Sequence, residues 1–221
     1  MTSAVLLDAL GTLVELQPPA PRLREALRRE GVEVSDEQAE AAFSAEIAYY
    51  LAHHLEGRDR DSLDRLRDRC AAEMCRALGA AELDHRTARR AMLAALEFEP
   101  YPDVIPALRA LREKGLRLVV ASNWDCSLPD WLGPAGLREL VDGVVTSAAV
   151  GAAKPDPELF RRALEIAGAR PEEALHVGDS LVNDVEGARA AGIRAVLLVR
   201  SGEPPPGTMA ARSLEEVASL T

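Results

Sequence analysis

From residue 100 onward the chain alternates between amphipathic helical stretches and short, predominantly apolar runs, and few architectures accept that rhythm. The runs at residues 116–121, 143–146, 174–177 and 193–199 show no sustained polar-apolar alternation, which marks strands of a parallel sheet covered on both sides. Helices before three of them stop at Gly115, Gly168 and Gly192. A further apolar run at residues 4–7 ends at Asp8 and is closed by Gly11, so Asp8 stands at the carboxyl end of the first strand. The expected class is α/β, with a doubly wound parallel-sheet, Rossmann-like core; ligands of such sheets bind in the crevice at the strand carboxyl ends.

Between residues 21 and 96 the pattern changes. Alanine, leucine and arginine recur at helical spacing without a β-branched run, Ser35 and Gln38 are spaced as a capping box, and Gly31 and Gly79 read as helix stops. Three or four helices are expected as an inserted, all-helical cap domain at residues 15–99, with residues 1–14 and 100–221 forming the core. The turn-rich segment 201–207 reads as a linker to one last short helix.

Composition narrows the function classes. A formal net charge of −10 offers no basic face to nucleic acid, and residues 4–7, interrupted by Asp8, lack the length of a membrane span and the basic start of a signal peptide. Three cysteines without metal-finger spacing fit reduced thiols, so a cytoplasmic protein is expected. Arginine supplies nearly all positive charge; the two lysines are Lys114, at a helix end where it favours the helix dipole, and Lys154, in a loop where a compact ammonium is needed.

Four strand ends carry polar residues: Asp8, Ser122 with Asn123, Lys154, and Gly178-Asp179 with Asp184. A carboxylate facing a lysine and further carboxylates suits covalent catalysis by an aspartate nucleophile. With a phosphate monoester in the same cleft, each close like-charge contact costs about 4 kcal/mol at an effective dielectric near 20, more than one lysine offsets. Mg²⁺ answers that charge, with Asp8 and Asp179 as direct ligands and Asp184 holding a water. Ser122, Asn123 and the backbone around Thr12 would position the phosphoryl oxygens.

In this order, Asp8-Ala-Leu-Gly-Thr-Leu13, Ser122-Asn123, Lys154-Pro155 and Gly178-Asp179 with Asp184 resemble the haloacid dehalogenase-like hydrolase superfamily over the whole chain, and residues 115–199 are similar to its domain-containing protein 3 subgroup. The resemblance implies a helical cap inserted after the first motif, a small-molecule phosphorylated or halogenated substrate, and the Leu10 backbone carbonyl as a further metal ligand. One position departs from the pattern. Where phosphatases of the superfamily carry a second aspartate as acid and base, this chain has Leu10, a loss typically worth about 10² to 10⁴ in rate. Three readings follow: a Mg²⁺-dependent phosphohydrolase for good leaving groups, a metal-free 2-haloacid dehalogenase, or a binder of phosphorylated ligands with little turnover. The phosphonoacetaldehyde hydrolases, which need a cap lysine, are excluded because neither lysine lies in residues 15–99. In that insertion Tyr49, Tyr50, His53 and His54 read as cap packing with a possible part in substrate reading, since adjacent helical histidines face apart and make a poor metal pair.

Overall fold

The structure, a computed structural model, describes residues 1–80 and 83–221. The chain divides into two compact units, Met1–Glu15 with Glu99–Thr221, and Leu16–Phe98.

The first unit is built on a six-stranded sheet. Its strands are β1 (Ala4–Leu7), β4 (Arg117–Ser122), β5 (Gly143–Thr146), β6 (Ala174–Gly178), β7 (Arg194–Leu198) and β8 (Ala210–Ala211). They lie in the order β5-β4-β1-β6-β7-β8, and every pair is parallel. The two remaining strands, β2 (Val14–Leu16) and β3 (Phe98–Pro100), pair where the chain leaves and rejoins this unit. From β1 the chain moves outward to β4 and β5, then returns to the other side of β1 for β6 and β7. That reversal puts the switch point of the sheet at β1, and the crevice at its carboxyl end. Register levels the relevant ends: Leu7 lies opposite both Val120 and Val177, so Asp8 emerges beside Ala121 and Gly178, one residue short of Ser122.

Alternation along each strand divides the core between the two faces. Ala4, Leu6, Val119, Ala121 and Val145 pack under Leu159, Phe160, Ala163 and Leu164 of α8 (Pro157–Ala167) and Ala188 of α9 (Gly187–Ala190). Full burial of side chains such as Leu6 or Phe160 contributes roughly 1.5–3 kcal/mol apiece. Elsewhere in the unit α5 (Val104–Glu113) packs against α10 (Leu214–Leu220), and α6 (Leu128–Leu132) and α7 (Ser147–Val150) flank β5. Lys114 donates to the carbonyl oxygen of Ala218 in α10, so its ammonium has a specific acceptor besides the helix end it caps. β8 falls in the tail expected to hold only a linker before the last helix; two residues are too few to show a strand period.

The second unit contains four α-helices among its described residues: α1 (Pro19–Arg29), α2 (Asp36–His53), α3 (Arg60–Leu78) and α4 (His85–Ala95). The capping box forms, with Ser35 Oγ accepting from the Gln38 N–H at 3.2 Å and Gln38 Oε1 accepting from the Ser35 N–H at 2.8 Å. Gly79 ends α3 at φ +67°, a conformation that suits a residue without a Cβ. Leu23, Leu27, Phe43, Leu66, Met74 and Met92 form the centre of the bundle. Among the described residues of this unit one carboxyl is buried: Glu46 of α2 is 5% exposed, and burial pushes its pKa up to about 7.

Candidate active site

Two strand ends, a loop and a π-helical turn bring four of the singled-out side chains to one place. Asp8 is the first residue past β1, its N–H donating to the Val177 carbonyl at 2.9 Å. Ser122 closes β4 and donates from Oγ to Asp8 Oδ1 at 2.9 Å. Lys154, 4% exposed, donates from Nζ to Asp8 Oδ1 at 2.6 Å and to Asp184 Oδ1 at 2.5 Å. Asp8 Oδ1 is thus held twice, while Oδ2 accepts no hydrogen bond among the described residues. An aspartate fixed through one oxygen keeps the other available for attack.

The neighbours of these groups settle where they point. Asn123 spends its side-chain amide on the Lys154 backbone, donating to the carbonyl at 3.0 Å and accepting from the N–H at 2.7 Å, so it anchors the lysine loop. Thr12 is fully buried; its N–H joins those of Leu13 and Val14 in donating to the Ala9 carbonyl, and its Oγ1 has no partner among the described residues. Leu10 is 43% exposed. Asp184 lies in a π-helical turn, Leu181–Glu186, whose cap Ser180 accepts from the Asn183 N–H at 3.1 Å. Asp184 Oδ2 accepts from the Ser180 N–H at 2.9 Å, while Oδ1 takes both Lys154 and Nε2 of His176 at 2.9 Å. With that nitrogen donating, Nδ1 of the fully buried His176 has no partner, and its ring meets Phe160 edge-on at 5.0 Å. His176 escapes a reading by pattern. Its one sequence signal is a polar residue inside an otherwise apolar strand.

Electrostatics in this pocket are dominated by acid. Burial pushes the Asp8 carboxyl up, and the Lys154 ammonium opposes that shift without reversing it. Burial acts against the charge of Lys154, but Asp8 and Asp184 outweigh it and hold the ammonium above its ordinary value. Asp184 is driven the other way: burial would raise it, yet Lys154 and His176 hold it well below the carboxylate range. Asp179, accessible at the lip of the crevice, is pushed up to about 6 by desolvation and then by Asp8 and Asp184. Oxygens of Asp8, Asp179 and Asp184 all lie within 4.8 Å of one another, among the described residues the one group of three that close. Three carboxylates against one lysine make a hard-oxygen donor set with excess negative charge, which fits a small divalent cation. Two glycines make the approach possible. A Cβ on Gly11, at φ +78°, would overlap the Asp179 carboxylate, and one on Gly178 would overlap Asp184.

Tyr49, Tyr50, His53 and His54 all lie on α2 and the turn after it. Tyr49 and His53 stack at 4.0 Å, Tyr50 and His54 are tilted at 6.1 Å, and both histidines turn Nδ1 toward backbone carbonyls, of Tyr49 and Leu51. Those contacts are local packing within the helical unit.

The strand-end carboxylates, the buried lysine and the strand order coincide with a known family: residues 2–192 match the model of the haloacid dehalogenase-like hydrolases. The chain belongs to that family. Among relatives of this haloacid dehalogenase-like hydrolase, the glyceraldehyde 3-phosphate phosphatase of Methanopyrus kandleri is 32% identical over 90% of the chain and 85% of the relative. Haloacid dehalogenase-like hydrolase domain-containing protein 3 of Mus musculus is 48% identical over 44% of the chain, and the aligned part spans only 38% of that relative's length. In structure, a defluorinating L-2-haloacid dehalogenase superposes with a TM-score of 0.78 over 99% of the chain and 94% of its own, at 22% identity, which speaks to the fold. No helix among the described residues is long and apolar enough to cross a membrane.

Proposed function

We propose that this hydrolase is a cytoplasmic Mg²⁺-dependent phosphohydrolase, with Asp8 as nucleophile and a small phosphorylated molecule as substrate. The observation that supports this most strongly is the acidic triad of Asp8, Asp179 and Asp184 around a single lysine. A phosphate dianion entering such a site meets net repulsion unless a cation shares it. Asp8, Asp179 and the Leu10 carbonyl would hold Mg²⁺, with Asp184 on its water; bound there, the ion neutralises charge on the phosphoryl oxygens. Asp8 Oδ2 attacks phosphorus, forming an aspartyl phosphate as the bond to the leaving oxygen breaks, and water then cleaves the aspartyl phosphate to release phosphate. Lys154 keeps Asp8 oriented and stabilises charge on the transferring group. Ser122 also donates to Asp8 Oδ1, and Asn123 keeps the Lys154 loop in place.

Leu10 shapes the substrate range. With no acid two residues after the nucleophile, the leaving oxygen departs as an anion, so aryl and acyl phosphates are the expected substrates and alkyl esters the slow ones. Residues 15–99 would serve as the cap that selects among them. Turnover of p-nitrophenyl phosphate that needs Mg²⁺ and disappears on chelation is the expected result; activity indifferent to exhaustive chelation would sink the reading. Leu10→Asp should raise turnover of alkyl phosphates, up to about 10²-fold or more if the new acid aligns. A metal-free 2-haloacid dehalogenase is the second reading, favoured by Leu10, because a departing halide needs no proton. Halide release from a 2-haloacid in the presence of chelator separates the two. Tight phosphate binding without either activity would identify a binding protein.

A further inference from the structure

Outside the acidic crevice, the most heavily engaged side chain near it belongs to Arg200, two residues beyond β7. Its guanidinium uses three separate edges. Nε donates to the Gly11 carbonyl at 3.2 Å, Nη2 to the Thr12 carbonyl at 2.6 Å, and Nη1 to Asp103 Oδ1 at 2.9 Å. Its plane also covers the Tyr101 ring, 3.6 Å from the centroid. Asp103 is held in turn, its Oδ2 accepting from the Leu214 N–H at 2.7 Å at the start of α10. The side chain is 20% exposed, shielded enough for these contacts to persist.

Each partner matters to the crevice. Gly11 and Thr12 form the turn that follows Asp8, and Gly11 packs so closely under Asp179 that no Cβ fits between them. The N–H groups of Thr12, Leu13 and Val14 converge on the Ala9 carbonyl, so this turn is internally closed. Gripping two successive carbonyls of the turn therefore sets its height against Asp179. Tyr101 and Asp103 begin the return of the chain after β3. One planar fork ties the turn behind the nucleophile to that return segment and, through Asp103, to the last helix. A lysine, with a single nitrogen, cannot bridge two carbonyls and a carboxylate in this way.

We infer that Arg200 is a positioning residue of the active site, holding the Gly11–Thr12 turn so that Asp8 and Asp179 keep their spacing. Arg200 touches none of the reacting groups. The inference rests on the reading of Asp8 as nucleophile and Asp179 as cation ligand, but its physical core is the ordering of one turn.

Three measurements on wild type, Arg200→Lys and Arg200→Gln test it: amide hydrogen exchange, Mg²⁺ affinity by calorimetry, and kcat and KM for p-nitrophenyl phosphate. Exchange at Thr12, Leu13 and Val14 should accelerate about tenfold or more in both variants, with amides of β1 and β6 unchanged. Mg²⁺ should bind more weakly and kcat should fall about tenfold or more while KM moves much less, because the nucleophile is misplaced and the substrate is still held. Lysine keeps the charge and the ring contact, so its failure to rescue assigns the effect to the fork. The inference is overturned if Arg200→Lys matches wild type in exchange and kcat, or if exchange rises evenly through the sheet while kcat per folded molecule is preserved. Should Arg200→Gln fail to fold, the lysine variant decides alone. Should wild type hydrolyse no phosphate ester, the phosphohydrolase reading falls, and exchange with Mg²⁺ affinity still decides the role of Arg200.

Discussion

At the scale of single residues, Lys154 has the most consequence for both stability and chemistry. Among the described residues it is the one lysine or arginine in contact with Asp8 and Asp184, and all three side chains are almost wholly buried. Removing one partner of such a pair leaves uncompensated buried charge, at a typical cost of about 3–5 kcal/mol. Lys154→Met should therefore lower the unfolding free energy measured in urea by an amount in that range and abolish turnover. Asp8→Asn is the complementary case: it keeps the shape and relieves like-charge crowding, so activity should vanish while thermal stability is retained or rises. A joint loss of stability and activity in Asp8→Asn would show that the carboxylate holds the fold, contrary to the role assigned here. His176 belongs at this scale too, because its donation to Asp184 is one of the contacts that keep that carboxylate ionised.

Among secondary-structure elements, the ends matter more than the middles. β1 and β6 are ordinary buried strands; what makes them functional is that Gly11, shortly after β1, and Gly178, the last residue of β6, let Asp179 and Asp184 come near the backbone. Gly178→Ala must displace Asp184 from Lys154, and destabilisation by about 1–3 kcal/mol with weakened Mg²⁺ binding is expected in chemical denaturation and calorimetry. In the helical unit, α2 carries Glu46 into the bundle, where burial raises its pKa from an ordinary 4.5 to about 7. The folded unit binds the proton more tightly than the unfolded chain, so this group's contribution is fully present below pH 4.5 and is lost as pH rises towards 7. The swing is at most about 3 kcal/mol. Thermal unfolding followed between pH 5 and pH 8 should show wild type weakening relative to Glu46→Gln across that window; parallel curves would mean that Glu46 finds a charged partner or water when it ionises.

For the whole molecule, a net charge of −10 and an acidic crevice make divalent cations the natural source of added stability. Mg²⁺ at about 100 times its dissociation constant should stabilise the folded chain by about 2.7 kcal/mol, read as a rise in melting temperature that Asp179→Asn removes. The parallel sheet, the helical insertion and the polar strand ends were all readable in the residue order, because strand and helix periods and glycine stops are local properties that survive without coordinates. Asp8, Ser122, Lys154 and Asp184 were legible for the same reason: each follows an apolar run, and a parallel sheet gathers such ends on one edge. Tertiary structure alone decided how those groups are used. That Asn123 serves the Lys154 backbone, that Thr12 is buried, that His176 supports Asp184 and that Arg200 clasps the turn behind Asp8 all depend on contacts between residues in different elements, from 8 to 189 positions apart. No local pattern encodes such contacts; they arise when the sheet closes and brings distant side chains within hydrogen-bonding distance of Asp8 and its turn.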